Sequence, residues 1–172
     1  DKWGDWLLPI KSGSASYRYN FDGFLSWAIN QKGPSHSYIQ LFHNGCIEAV
    51  LCFSLGAKDE QKIMPAKWLE GVIIKELERF QRFAAMLGIV PPLLVLVSIF
   101  GVAGYVIRTG MWDFDSSEPI DRDNLIFSEI LFTDFEVNPA DLMKPVFDAL
   151  WNAGGFPGSI SYKDGKWEGD KK

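Results

Sequence analysis

The chain is poor in the side chains that most often carry chemistry: two cysteines and two histidines in 172 residues. Cys46 and Cys52 sit six positions apart on what reads as one strand, roughly 20 Å at strand rise, so they do not pair with each other. Free thiols suit a reducing compartment, which predicts a cytoplasmic location. His36 and His43 flank one short strand. No cysteine pair or HExxH pattern lies beside them, and a metal centre needs three or four matched ligands. They read as loop and turn residues, and no metal or other cofactor is expected. No secretory leader is seen. Because the chain opens on Asp1 rather than Met, it is expected to be a piece of a longer protein.

Catalytic sequence patterns are missing too. There is no GxSxG elbow, no GxxxxGKS/T phosphate loop and no GxGxxG turn. Basic runs are absent: 17 Lys and Arg stand against 22 Asp and Glu, a net charge of −5. Nothing in that pattern neutralises several phosphates, so direct nucleic-acid binding is not expected. The acids gather most densely at Asp113, Asp115, Glu118, Asp121 and Asp123. A calcium loop would need a Gly and a distal Glu at fixed offsets, and they are not there. A restriction-type nuclease would want Asp and then Glu-x-Lys, whereas Glu129 and Glu48 are followed by Ile130-Leu131 and Ala49-Val50. The segment reads as a solvated loop. A metal-dependent hydrolase or nuclease using loop 113–123 is the alternative enzyme reading.

Charge is also missing from Phe83 to Ile107, a run long enough to cross a bilayer as a helix. A membrane anchor through 83–107 is therefore one alternative. The breakers argue against it. Pro91-Pro92 stops a helix. Leu93 to Phe100 then reads as a central strand buried on both faces. Gly101 and Gly104 punctuate the run before a second strand, Tyr105 to Arg108.

What is present suffices for a core, since 47% of residues are hydrophobic and 15% aromatic, which excludes wholesale disorder. Residues 1–16 read as a linker. Tyr17 to Trp27 reads as a strand pair or a strand-to-turn segment around Asp22-Gly23. Asn44-Gly45 predicts a type I′ hairpin turn between Ser37–Phe42 and Cys46–Leu55, with Tyr38, Gln40 and Phe42 on the more polar face. Pro65 suits a first helical position. Leu69, Val72, Ile73, Leu77, Phe80, Ala84 and Leu87 recur at helical spacing, Glu70, Lys75, Glu78, Arg79 and Arg82 fill the other face, and Glu78 is placed to meet Arg82. Gly88 suits the helix end. Leu125 to Phe135 reads as a strand with Ile126, Ser128, Ile130 and Phe132 on one face. Asn138-Pro139 opens a second helix striped by Met143, Phe147, Leu150 and Trp151, with a kink or restart at Pro145. Residues 157–172 read as a polar tail with a small hairpin at Asp164-Gly165. The pattern predicts an α+β domain over 17–156: an antiparallel sheet of about five to six strands with two main helices packed on it.

The aromatics Trp3, Trp6, Tyr17, Tyr19, Phe21, Phe24 and Trp27 crowd the start of the chain. They make either one buried strand face or a docking surface. Tyr17, Tyr19, Phe21 and Trp27 are the candidate ligand- or partner-binding residues.

Three stretches carry a family resemblance. One is Tyr38-Ile-Gln40-Leu41-Phe42-His-Asn44-Gly45-Cys-Ile47-Glu48-Ala49. Another is the Pro91-Pro92 apolar strand ending in Gly101-Val-Ala-Gly104-Tyr105. The third is Asp141-Leu-Met-Lys-Pro145-Val-Phe147-Asp-Ala-Leu-Trp151-Asn152-Ala-Gly154 with Phe156-Pro157. Together they resemble the C-terminal region of bacterial Schlafen-type proteins, over about residues 17–167. In that family the N-terminal AlbA-like domain is the one assigned nucleic-acid or ATP binding. The resemblance implies a non-enzymatic accessory domain, a sensor or protein-interaction module that regulates a linked effector. Its partner would be an N-terminal effector domain of the same chain or another protein, with no membrane involved. None of the three stretches is a catalytic signature, so no active-site residue carries over.

Overall fold

A computed structural model of the chain describes residues 7–30, 33–52, 62–109 and 117–169. The fold is α+β and divides into two compact units, Asp1–Ser54 and Leu55–Lys172.

The first unit is built from β1 (Ala15–Asn20), β2 (Gly23–Ala28), β3 (Ser37–Phe42) and β4 (Ile47–Leu51), an antiparallel sheet in chain order. The sheet therefore has four strands where five to six were expected. Leu7 and Pro9 are buried, and Ala15 and Ser16 already belong to β1, so the folded chain starts inside the segment read as a linker. Asn20 shapes the first turn: its side-chain oxygen accepts from the N–H groups of Asp22 and Gly23 at 3.1 and 2.8 Å. Ile39 is fully buried and Gln40 nearly so, which means neither face of β3 is simply polar.

The β3–β4 turn lies at His43-Asn44-Gly45 as expected, but its type differs. Only Gly45 there takes positive φ, at 86°, while Asn44 does not. Gly45 N–H donates to the Phe42 carbonyl, Phe42 N–H to the Cys46 carbonyl, and Cys46 N–H to the Asn44 side chain. This is a three-residue loop with a glycine bulge rather than a type I′ turn. A Cβ on Gly45 would meet nothing within 4 Å. Gly45→Val is thus expected to cost about 1–2 kcal/mol, from backbone strain alone. His43→Ala is expected to stay within about 0.5 kcal/mol. Urea melts of the two variants check this; a large loss from His43→Ala would contradict the assignment.

The second unit opens with β5 (Ile63–Met64) and α1 (Ala66–Met86). Pro65 is the residue before the helix rather than its first turn. Leu87 closes α1, and Gly88 at φ 72° lets Ile89 N–H return to the Ala84 carbonyl at 3.0 Å, a double-backbone cap. Leu69, Val72 and Ala84 are buried as expected and Ile73 and Leu77 partly so, but the buried face also takes in Ile74, Phe83 and the fully buried Glu70, while Leu87 is exposed. The ion pair on α1 joins Glu76 to Arg79, where Glu78–Arg82 was expected.

The charge-free run forms the end of α1, then β6 (Leu93–Val95), β7 (Ser98–Phe100) and β8 (Val106–Ile107). No described helix is long and apolar enough to cross a membrane. Next come β9 (Asn124–Ile126) and β10 (Ile130–Phe132), in place of one strand over 125–135. β6 pairs with β10 and β7 with β9, both antiparallel, making a two-stranded ribbon. β8 does not fold back on this ribbon. It pairs in parallel with β5, because Gly101 and Gly104, at φ 75° and 78°, turn the chain away and residues 124–132 occupy the pairing edge.

Asn138 caps α2 (Pro139–Asn152), its side chain accepting from the Ala140 N–H at 2.9 Å. Pro145 lies inside this helix, which continues through it without a restart. The expected stripe is buried: Met143, Phe147, Leu150 and Trp151 are each at most 1% exposed. Ala140, Met143, Val146 and Phe147 meet Ile74 of α1 in a core cluster, flanked by Val97, Phe127 and Ile130 of the ribbon. Burying each large side chain stabilises by roughly 1.5–3 kcal/mol.

Beyond α2 come β11 (Tyr162–Lys163) and β12 (Lys166–Trp167). Here the two-residue type I′ turn does occur: Asp164 and Gly165 both have positive φ, 50° and 77°. The segment is packed rather than a free tail. Tyr162 donates its hydroxyl to the Ala140 carbonyl, and Ser159 N–H donates to Asp148. Burial pushes the Tyr162 phenol well above its usual range, and the charges of Glu70, Asp141 and Asp148 act in the same direction.

Candidate functional site

Strand alternation sorts the first sheet into two faces. In register across β2, β3 and β4 run Trp27–Tyr38–Val50 and Leu25–Gln40–Glu48. These rows line a groove of about 430 Å³, together with Asp22, Phe42 and His36. Gln40 is held at its floor by Asn20, whose side-chain amide donates to it at 2.8 Å. Tyr38 donates its hydroxyl to Glu48 at 2.6 Å. That hydrogen bond, with desolvation and the Glu48 charge, pushes the Tyr38 phenol up to about 12. Arg18, on the neighbouring strand, lies over the Trp27 ring at 5.9 Å.

The four candidate aromatics do not form one surface. Tyr17 and Tyr19 lie on the opposite face of the sheet from Trp27, against the Phe24 ring at 5.5 Å each. Phe21 is at the tip of the β1–β2 turn. Tyr17, Tyr19 and Phe21 are 56%, 81% and 95% exposed, which rules out a buried strand face for them. Trp27 belongs to the groove. Trp3 and Trp6 lie outside the described residues.

A second surface lies on the ribbon of the other unit. Leu93–Phe100 is not a strand buried on both faces. Leu94, Leu96 and Phe100 alternate outward, and across the ladder Leu131 stands opposite Leu94 and Ile126 opposite Ser98. All five large apolar side chains are exposed. Ile126 and Phe132, expected on one face, are separated: Ile126 faces out and Phe132 is buried. Composition alone could not reveal this, because an apolar run looks the same whether one face is covered or two.

Glu70 is the buried group that sequence reading placed on the wrong side of α1. Its carboxyl accepts from Trp151 Nε1 and Ser159 Oγ, each at 2.6 Å, and from Trp167 Nε1 at 3.4 Å. One signal was available: Ala66, Glu70 and Ile74 share a helical line, and the outer two are apolar. These contacts tie α1 to α2 and to the β11–β12 hairpin, so the role is architectural.

Asp121 and Asp123 are exposed, and Arg122 hydrogen-bonds the Asp121 carboxylate, holding it below its usual range. Asp113 and Asp115 lie outside the described residues. Among the described residues no three or more His, Cys, Asp or Glu are grouped as a metal site. Cys46 and Cys52 are exposed free thiols. Comparison with protein-family models, with curated proteins and with solved structures gives no match to this chain.

Proposed function

We propose that this chain is a non-enzymatic protein-interaction domain, an accessory module acting beside an effector. The observation that carries the proposal is the outer face of the ribbon, where Leu94, Leu96, Phe100, Ile126 and Leu131 are 51% to 76% exposed. Exposed apolar side chains gathered on one face mark protein contact surfaces. This face is also rigid, since its inner side, through Val97, Phe127 and Ile130, packs on the helical core. A surface held in place loses little conformational freedom on binding. The three stretches that resemble the C-terminal region of Schlafen-type proteins support the accessory role, and that family assignment is part of the proposal.

In-cell photo-crosslinking tests it. A photo-reactive residue at position 96 is expected to give discrete protein adducts that Ile126→Lys abolishes. The same residue at position 75, exposed on α1, is expected to give none. Equal labelling from both positions, unmoved by Ile126→Lys, would overturn the reading.

A further inference from the structure

The groove on the first sheet has chemistry that the ribbon lacks. The geometry points to a binding site for an organic cation, a guanidinium or alkylammonium group, seated between the Trp27 ring and the carboxylates of Asp22 and Glu48. The inference rests on the groove alone and not on the ribbon.

Size permits it: about 430 Å³ falls within the roughly 300–1,000 Å³ of small-molecule sites. Among the described residues the lining contains two carboxylates and neither Lys nor Arg. Glu48 takes the Tyr38 hydroxyl on one oxygen, Oε1. Among the described residues no cation meets Glu48 or Asp22: the ion pairs there are Glu76–Arg79, Asp121–Arg122 and Asp148–Lys144.

Aromatic walls decide which cation fits. Hard metal ions want an all-oxygen shell, whereas guanidinium and alkylammonium groups gain from a ring face within about 6 Å. The chain supplies its own example, since the Arg18 guanidinium lies 5.9 Å from the Trp27 centroid. Arg18 is therefore a built-in competitor for the site. The net charge of −5 further favours approach of a cation.

The test follows the Trp27 indole N–H by NMR in the full chain, assigned with Trp27→Phe. The probes are N-acetyl-L-argininamide, N-acetyl-Gly-Arg-Gly-amide and the neutral citrulline counterpart of each. Saturable shifts with the arginine forms, and none with the citrulline forms, are expected. Glu48→Gln, at an exposed position, is expected to weaken binding about tenfold through loss of one charge-assisted hydrogen bond. Arg18→Met is expected to tighten it. Tighter binding of the tripeptide identifies a peptide side chain as the source of the cation, and equal binding identifies a small free guanidinium compound. No saturable shift with either arginine form overturns the inference. So does a citrulline form that binds as well, or a Glu48→Gln protein that binds like the parent.

Discussion

Glu70→Ala is expected to destabilise the second unit by about 3–5 kcal/mol, because it strands buried donors at about 1–3 kcal/mol each. Glu70 is fully buried, and so is the Trp151 ring whose Nε1–H it accepts. Removing the carboxyl leaves that N–H and the Ser159 hydroxyl without an acceptor, and it opens a void between α1 and α2. Glu70→Gln keeps the shape and one acceptor oxygen, so its loss should be smaller, about 1–2 kcal/mol. Urea denaturation followed by tryptophan fluorescence measures both, since Trp151 and Trp167 contact the mutated group directly. An alanine variant within 1 kcal/mol of the parent would show that the network contributes little.

Gly23→Ala is the corresponding test of the first unit. Its φ is 145°, and a Cβ there would lie 2.1 Å from the Leu41 carbonyl oxygen. The atom in the way is backbone, in the strand that pairs with β2, so no side-chain rotation relieves the clash. Overpacking and φ strain together are expected to cost about 3 kcal/mol or more. Amide exchange should show β1 to β4 losing protection while α1 and α2 keep theirs. Gly13→Ala is the control: nothing lies within 4 Å and its φ is not positive, so a change within about 0.5 kcal/mol is expected. Retained protection across β2 and β3 in Gly23→Ala would mean that the ladder yields more readily than its geometry indicates.

Signals confined to a few residues were legible in the sequence. Asn138-Pro139 and Gly88 mark helix ends because capping depends on side chains and φ angles at the site itself. Asp164-Gly165 and Asn44-Gly45 mark hairpin turns for the same reason. The turn type at Asn44-Gly45 was not legible, since two loops of different length are open to that dipeptide, and the strand register selects between them. Of the candidate aromatics, Trp27 lies in the groove, whereas Tyr17 and Tyr19 are on the other face. Alternation alone put Tyr17, Tyr19 and Phe21 together. Relating them to Trp27 required the β1–β2 pairing.

By itself the sequence determined the mixed α+β class, the two helices and most turns. It also determined the shortage of basic charge and of catalytic patterns. All of these depend on composition or on neighbours within one or two turns of chain. Tertiary structure alone decided which side chains are covered. Residues 124–132 pair with 93–100, and α2 covers only one side of that ribbon, so half of an apolar run faces outward. Trp151 and Ser159 reach back to Glu70 across more than eighty residues and bury a carboxyl that helical periodicity places on a polar face. Burial is a property of partners distant in sequence, and their arrangement is settled only when the chain packs.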